Sequence, residues 1–262
     1  MARPMHSFEL VDFLTGAADS IPELGIPWER LGLRMLAETR FGTGASGGDF
    51  HAFALRDRGR LAVVIGDACG HGPSAAELLP GVMPSVRALL RSEVTPSRLL
   101  TEVNRVAARS LPIDRFVTAA AFELDLSAST LVAASAGHVP ALVRRANGSV
   151  LVVGRGSGPP LGLVADCSYT DEYHRLAPGD VLVFMTDGVL EAIETDLLDM
   201  STLRSLLTRA PAGRGALHRS LVRFLDGCSA LRSADDMTLV SLEIVAGPSR
   251  PSSRELGLTV CP

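Results

Sequence analysis

Four aspartates stand in short motifs whose neighbours are glycine, threonine or small apolar residues. The motifs are Gly-Gly-Asp49-Phe, Gly-Asp67-Ala-Cys-Gly-His-Gly, Met-Thr-Asp187-Gly-Val and Ala-Asp235-Asp236-Met-Thr-Leu. Carboxylates that lie close together repel one another, and each has its pKa raised unless a cation lies between them. Magnesium or manganese would supply that charge, because these hard ions prefer oxygen ligands. The motifs offer almost no histidine or thiol, which argues against zinc.

A site of this kind indicates a particular chemistry. Two such ions, held roughly 3.5–4 Å apart, can activate a bridging water and stabilise the charge that builds on a phosphoryl oxygen. No cysteine lies in a phosphate-cradling loop, which favours water over a thiolate as the nucleophile. The sequence therefore predicts hydrolysis of a phosphate ester.

The composition sets the class of protein that must position this site. The chain has 262 residues, of which 47% are hydrophobic, enough for a substantial core. It contains no uninterrupted apolar stretch of about 18 residues, and its first ten residues lack the order of a signal peptide. Four scattered cysteines suggest neither a disulfide framework nor a zinc ribbon. These features predict a cytoplasmic protein with no membrane partner.

The charged residues exclude further classes. All 25 basic residues are arginine, so a Schiff-base lysine and a lysine-dependent phosphate loop are both ruled out. The net charge of −4 is small, and the arginines are dispersed. Without a basic stripe to follow a nucleic-acid backbone, the sequence predicts a protein or small-molecule partner.

Strand and helix patterns alternate along the chain in blocks. Residues 31–37, 50–55 and 61–65 have the pattern of a strand followed by a hairpin, which places Asp49 and Asp67 at strand ends. A helical run from residue 73 to 90 is interrupted by two prolines, and a second helix starts with Thr95 as its N-cap.

The second half repeats this order. Residues 116–153 form a meander with a tight Asn147-Gly148 turn, and the apolar run 181–185 predicts a buried strand that delivers Asp187. Two helices over 201–209 and 217–225 and a last strand over 237–245 follow. The order predicts an α+β fold in which antiparallel sheets are covered by helices.

The domain boundaries follow from composition. We expect one catalytic domain over residues 21–246, a short amino-terminal segment over residues 1–20, and a disordered serine- and proline-rich tail over residues 247–262. The apolar residues of the first segment, including Phe8 and Val11, predict a short helix.

The ordered motifs resemble those of the PPM class of metal-dependent serine/threonine phosphatases, in its bacterial SpoIIE-like branch, which includes RsbU- and RsbX-like enzymes. The resemblance spans almost the whole chain. Beyond the aspartate motifs it rests on Phe116-Val-Thr-Ala, Ser135-Ala-Gly-His-Val-Pro, Pro160-Leu-Gly-Leu and Leu176-Ala-Pro-Gly-Asp-Val-Leu.

The resemblance implies a four-layer α/β/β/α sandwich of two antiparallel sheets, with two manganese or magnesium ions at one edge. Asp67 would bridge both ions, and the Ala68 carbonyl would be a further ligand. Asp49, Asp187 and Asp235 would complete the site. We prefer Asp235 over its neighbour Asp236 as the ligand, by alignment of the motif.

Two histidines and a substitution leave alternatives open. His71 either donates a proton to the leaving group or orients a water, or it is a loop histidine bonded to the backbone. His138 is interpreted as structural. His51 stands where the branch commonly has tyrosine, and is either a surface replacement or a neighbour of the metals. Leu190 and Ile193 replace polar residues, which suggests a surface shaped for a partner.

The resemblance implies dephosphorylation of phosphoserine or phosphothreonine on an anti-sigma-factor antagonist, by direct attack of metal-bound water without a phosphoenzyme. Control would come from an activating protein partner, a homodimer or the amino-terminal segment. Two alternatives remain: a degenerate phosphatase that acts as a partner-binding scaffold, and hydrolysis of a small phosphorylated metabolite. A weaker echo of diguanylate cyclases in Gly-Gly-Asp49-Phe lacks the acidic residue expected next.

Overall fold

The structure of the chain is a computed structural model that describes most of the sequence between residues 11 and 245. The described residues are 11–12, 20–21, 26–40, 47–56, 59–156, 158–194, 200–211, 213, 215–228 and 236–245.

Most of the described strands are four to nine residues long. They are β1 (Val11–Asp12), β2 (Ser20–Ile21), β3 (Ile26–Pro27), β4 (Leu33–Arg40), β5 (Phe50–Arg56), β6 (Arg60–Ala68), β7 (Val117–Asp125), β8 (Thr130–Ala136), β9 (Ala141–Arg144), β10 (Val150–Val153), β11 (Glu172–Arg175), β12 (Val181–Met185) and β13 (Met237–Ile244).

The helices fall in two groups along the chain, one on each side of the central strands. They are α1 (Pro73–Ala76), α2 (Met83–Leu90), α3 (Pro96–Ser110), α4 (Asp187–Glu194), α5 (Met200–Arg209) and α6 (Ala216–Gly227). Among the described helices, none combines the length and the apolar character needed to cross a membrane.

The longer strands form two antiparallel sheets. The first sheet has the order β1-β5-β6-β7-β8-β11, and the second has the order β10-β9-β12-β13-β4. Consecutive strands of the first sheet pair directly through β5, β6, β7 and β8, and in the second sheet β13 pairs with β12 on one side and β4 on the other. Strands β5 to β8 of the first sheet follow one another in chain order. In the second sheet, the pairing of β13 with β4 joins the last described strand to one near the start of the described chain.

Three apolar layers hold these sheets and helices together. Alternate side chains of each strand point to opposite faces, and one set, which includes Phe53, Phe122 and Phe184, packs between the two sheets. The opposite face of the first sheet packs against α2 and α3, and that of the second sheet against α4, α5 and α6. The result is the four-layer α/β/β/α sandwich that the resemblance implies, and it agrees with the antiparallel α+β fold that the sequence pattern predicts.

Several local predictions are confirmed. The hairpin, the Asn147-Gly148 turn and the apolar strand before Asp187 are all present. Thr95 accepts a hydrogen bond from the Arg98 backbone nitrogen at 3.4 Å, as an N-cap does. The proline-containing run breaks into α1, a short 3₁₀ turn and α2, and Pro84 lies in the first turn of α2 where a missing N–H costs little.

Two local predictions are wrong in whole or in part, and one helix was not predicted. Val11 belongs to the strand β1, which pairs with β5, and the rest of the predicted amino-terminal helix lies outside the described residues. Helix α4 was not predicted, because its eight residues follow directly on a buried strand. Ile193 is buried in the cluster under the helices, so it belongs to the core and offers no surface to a partner, whereas Leu190 is only partly buried against the same cluster.

Candidate metal centre

The strand register brings Asp49 and Asp67 to the same end of the first sheet. Asp67 lies near the end of β6, on the same face as Val63 and Ile65, which pack between the sheets. Asp49 directly precedes β5, and Phe50 pairs with Gly66 of β6. Because side chains two residues apart share a face, both carboxylates continue the layer between the sheets at its open end.

The second sheet contributes residues to the same end. Strand β12 ends at Met185 and its antiparallel partner β13 begins at Met237. The residues just beyond these ends are Thr186 and Asp187 on one strand and Asp236 on the other. The site is therefore built where the apolar layer between the sheets stops and polar residues take its place.

Three carboxylates meet at this end of the sandwich. Oxygen atoms of Asp49, Asp67 and Asp187 all lie within 4.8 Å of one another. Asp49 and Asp67 are buried, whereas Asp187 is half-buried. Burial, together with the smaller effect of the charges of Asp187 and Asp236, raises the pKa of Asp49 to about 7. A cation would offset the cost of these charges.

Two threonines hold the Asp49 carboxylate in place. Thr186 Oγ1 donates a hydrogen bond to Asp49 Oδ2 at 2.8 Å and accepts one from the Thr238 backbone nitrogen at 2.9 Å. Hydrogen bonds from Thr238 and Thr186 lower the pKa of Asp49, against the larger effect of burial. They favour the ionised carboxylate, which is the form that binds a metal ion.

A glycine allows the chain to approach the carboxylates closely. A methyl group on Gly48 would lie 2.6 Å from Asp67 Oδ1 and 2.7 Å from the Ala68 carbonyl oxygen. The Gly48 backbone nitrogen donates to Asp236 Oδ2 at 3.1 Å, and its carbonyl accepts from the Ala68 nitrogen at 3.1 Å. The Asp67 carboxylate and the Ala68 carbonyl therefore lie on the same side of Gly48, in a space that a side chain would fill.

This donor set fits a hard divalent ion. All the grouped side chains are carboxylates, and the nearby Ala68 carbonyl adds a neutral oxygen. Magnesium and manganese prefer such oxygen ligands. The residues present would hold the ions that the sequence predicts.

The remaining predicted residues differ in where they lie. Asp235 is outside the described residues, while its neighbour Asp236 is buried at the site. His71 follows Asp67 on the loop after β6 and is exposed.

Two further histidines lie inside the protein. His138 is buried, and its Nδ1 shares a 2.8 Å hydrogen bond with Oγ1 of Thr118, the residue paired with Asp67. His51 is buried too, so it is not a surface replacement. Its ring makes an edge contact with Phe53 at a centroid distance of 5.7 Å, and burial lowers its pKa to about 4.

Sequence reasoning gave no role to Thr186 or Thr238, and it considered Asp236 only as an alternative metal ligand to Asp235, not as a partner of the Gly48 backbone. The sequence did contain a pattern that could have pointed to Thr186, because this residue directly precedes Asp187 at the end of an apolar strand. A similar pattern existed for Thr238. It lies two residues before Val240 in the last strand, so the two side chains share the face that packs between the sheets. The hydroxyl of Thr186, however, binds Asp49, which lies 137 residues away in the chain, and Thr238 binds Thr186, which lies 52 residues away.

Solved structures share this architecture. The structure of the PP2C phosphatase domain of SpoIIE from Bacillus subtilis superposes with a TM-score of 0.70 at 19% identity, covering 81% of this chain and 63% of that one. The structure of RsbX in complex with magnesium gives a TM-score of 0.62 at 17% identity, over 81% of this chain and 95% of that one. The fold is that of the PPM, or PP2C-type, phosphatases.

The family model described as Stage II sporulation protein E (SpoIIE) matches residues 57–245. The chain belongs to the SpoIIE family. It is also 25% identical over 201 residues to the phosphoserine phosphatase RsbU of Bacillus subtilis, which covers 74% of this chain. The chain spans 58% of the length of RsbU.

Proposed function

We propose that this protein is a metal-dependent phosphatase that removes phosphate from serine or threonine of another protein. The observation that carries the proposal is the group of three carboxylates within 4.8 Å of one another, contributed by both sheets at one end of a PPM-type sandwich. Membership of the SpoIIE family and similarity to a phosphoserine phosphatase support the same reaction class.

The substrate we propose is a phosphorylated anti-sigma-factor antagonist in the cytoplasm. The support is the similarity to RsbU, whose name states a phosphoserine phosphatase activity. An activating protein partner or a second copy of the chain would control turnover. Comparison of rates on a phosphoprotein and on free phosphoserine tests this choice, since a metabolite phosphatase would prefer the free amino acid.

The proposed ligands of two manganese or magnesium ions are oxygen atoms of five residues. Asp67 would be a ligand of both ions, and the other ligands would be Asp49, Ala68 through its carbonyl, Asp187 and Asp235. Asp236, which binds the Gly48 nitrogen, would hold the loop that carries Asp49. If so, Asp235→Asn should lower manganese affinity more than Asp236→Asn, as measured by calorimetry.

The residues of the chain prepare the site in two ways. Hydrogen bonds from Thr186 and Thr238 favour the ionised form of Asp49 and orient it, and Gly48 leaves space beside the Asp67 carboxylate. When bound, the two ions would activate water for direct attack on phosphorus and stabilise the charge on the phosphoryl oxygens. His71, exposed on the loop after Asp67, is our candidate for protonating the leaving group.

The test is release of nitrophenol from para-nitrophenyl phosphate, with and without manganese, by the wild type and the Asp67→Asn variant. We expect manganese-dependent turnover in the wild type and its loss in Asp67→Asn. The control is Asp166→Asn, which changes an exposed aspartate outside the three-carboxylate group. A folded, manganese-bound wild type without turnover on this compound or on phosphoprotein would favour the partner-binding scaffold.

A further inference from the structure

An exposed arginine lies beside the loop that follows Asp67. Strand pairing continues past the ends of β6 and β7, because the Cys69 nitrogen donates to the Phe116 carbonyl at 3.0 Å. The Phe116 nitrogen in turn donates to Cys69 Sγ at 3.3 Å. These contacts fix the next residue, Arg115, against Cys69 and Gly70.

A tight turn sets the direction from which Arg115 arrives. Asp114 has a left-handed backbone with φ of 65°, which aspartate tolerates better than most residues. The Arg115 nitrogen donates to the Pro112 carbonyl at 3.1 Å and closes the turn. The turn thus returns the chain from the end of α3 to the edge of the candidate metal centre.

The Arg115 guanidinium lies over the loop itself. Its Nη1 donates to the Cys69 carbonyl at 3.3 Å, and it would lie 3.3 Å from a methyl group placed on Gly70. Gly70 has φ of 102°, so a side chain there would be strained as well as crowded. Glycine at this position leaves room for the arginine.

The charge of Arg115 is not used to stabilise the fold through an ion pair. Arg115 is exposed, and it forms no ion pair with a carboxylate within the described part of the chain. A guanidinium has five N–H donors in a planar fork that matches two phosphate oxygens. Its contact with Cys69 occupies Nη1 only, so other donors remain for a ligand.

The strand pairing places Arg115 beside the segment that follows Asp67. Asp67 pairs with Thr118, and the pairing continues to Cys69 and Phe116, so Arg115 is the next residue beyond the paired strands. Its guanidinium contacts the carbonyl of Cys69, two residues from Asp67. A phosphate bound at the carboxylate group would therefore lie beside the loop that Arg115 contacts.

We propose that Arg115 binds the phosphoryl oxygens of the substrate and orients the phosphate for attack. This inference rests on the proposed phosphatase function and adds the group that holds the substrate. A phosphate monoester carries a charge of about −1.5 to −2 at pH 7, which a guanidinium complements. The arginine would also retain the phosphate product.

The experiment measures phosphate binding separately from turnover. Inorganic phosphate is titrated by calorimetry into the manganese-loaded wild type, Arg115→Ala, Arg115→Lys and Arg91→Ala, and kcat and KM are measured for para-nitrophenyl phosphate and a phosphoprotein. The matched control is Arg91, an exposed arginine after α2. Manganese affinity is measured for every variant.

We expect Arg115→Ala to weaken phosphate binding at least about 10-fold and to raise KM similarly, because a charged hydrogen bond is lost. Arg115→Lys should restore part of the affinity, since lysine supplies the charge without the planar fork. Arg91→Ala should match the wild type, and manganese affinity should be unchanged throughout.

Two results would overturn the role of Arg115. One is phosphate affinity in Arg115→Ala equal to that of the wild type. The other is weaker manganese binding in Arg115→Ala, which would mean that Arg115 only maintains the loop. A wild type without turnover would instead refute the phosphatase, and the phosphate titration would still decide whether Arg115 binds phosphate.

Discussion

The two ends of strand β5 handle buried charge in opposite ways. At one end, Asp49 is buried with Asp187 and Asp67 close by. At the other end, Arg56 is buried just as deeply. Asp49 directly precedes β5 and Arg56 is its last residue, so the two residues lie at the two ends of one strand, both buried, in very different surroundings.

The chain supplies Arg56 with hydrogen-bond acceptors and a counter-charge. Its Nε donates to the Leu90 carbonyl and its Nη1 to the Val94 carbonyl, both at 2.8 Å. Its Nη2 donates to the Leu89 carbonyl at 3.3 Å. A salt bridge to Glu123 supplies the counter-charge.

The Asp49 carboxylate receives neutral partners only. Thr186 and Thr238 donate hydrogen bonds to it, and it forms no ion pair with any residue that the structure describes. Burial raises its pKa to about 7. The difference teaches that a buried charge can be balanced by acceptors and a counter-charge from the chain, whereas a buried carboxylate among other carboxylates indicates a cation from outside.

The largest expected effect on the free energy of unfolding comes from replacing Arg56. Arg56→Ala should lower the free energy of unfolding by about 3–5 kcal/mol, because it leaves buried acceptors and a carboxylate without their donor. Urea denaturation of the metal-free protein measures this. Arg60→Ala removes a more exposed partner of the same Glu123 and should cost no more than about 1 kcal/mol. Equal losses would contradict the comparison.

Manganese should stabilise the protein through the carboxylates at the Asp49 end of β5. At a free concentration of 100 times its Kd, manganese should raise the free energy of unfolding by about 2.7 kcal/mol. Asp49→Asn should lose most of this gain, yet be at least as stable as the wild type without metal, since it removes a charge raised in energy by burial. Thermal denaturation with and without manganese measures both.

Arg56→Ala is the control for the manganese experiment. It should keep the full manganese-dependent gain, because Arg56 lies at the opposite end of β5. If Asp49→Asn proved less stable than the wild type in the absence of metal, the carboxylate end would be stabilising the fold like the arginine end.

Thr186→Val tests how much a single hydroxyl group contributes to metal binding by Asp49. It removes the hydrogen bond to Asp49, and loss of a group that orients a metal ligand typically weakens metal binding about 10- to 100-fold. Thr101→Val is matched, because Thr101 is buried and its hydroxyl donates to the Ser97 carbonyl at 2.8 Å far from the site. Calorimetry should show unchanged manganese affinity in Thr101→Val.

His218 offers the smallest effect, in a region outside both ends of β5. Its Nδ1 shares a 3.0 Å hydrogen bond with Ser241 Oγ, and burial lowers its pKa to about 4. Between pH 6.5 and 4 the unfolded chain binds a proton that the folded chain does not, so stability falls as the pH falls through this range. At pH 5.5 this loss is about 1.4 kcal/mol.

His218→Gln removes the titrating group. The variant should lose less stability than the wild type between pH 7 and 5.5, by about that amount, as measured by urea denaturation at each pH. An unchanged pH dependence would show that His218 accepts its proton without cost in the folded protein.

Local patterns in the sequence were sufficient for much of the fold. The hairpin of β5 and β6, the N-cap at Thr95 and the apolar strand before Asp187 depend on neighbouring residues, and the structure contains all three. Helix α4 was missed, since it is only eight residues long and begins at Asp187, almost directly after a buried strand. The two-residue strand β1 was missed for a different reason, because its only described pairing is with β5.

The residues of the candidate site were also predicted from the sequence only in part. The types and motifs of Asp49, Asp67 and Asp187 predicted an oxygen-rich metal site, because few other combinations of residues suit hard ions. The structure then placed oxygen atoms of these residues within 4.8 Å of one another. The choice of Asp235 over Asp236 stays a prediction, as Asp235 lies outside the described residues.

By itself, the sequence determined the acidic ligand types, the strand alternation and the absence of lysine. Tertiary structure decided which neutral groups support those ligands, such as Thr186 on Asp49, and which arginine faces the loop after Asp67. The physical reason is range. Strand and cap signals act over a few residues, whereas burial and hydrogen bonds between the sheets join residues that only the closed sandwich brings together.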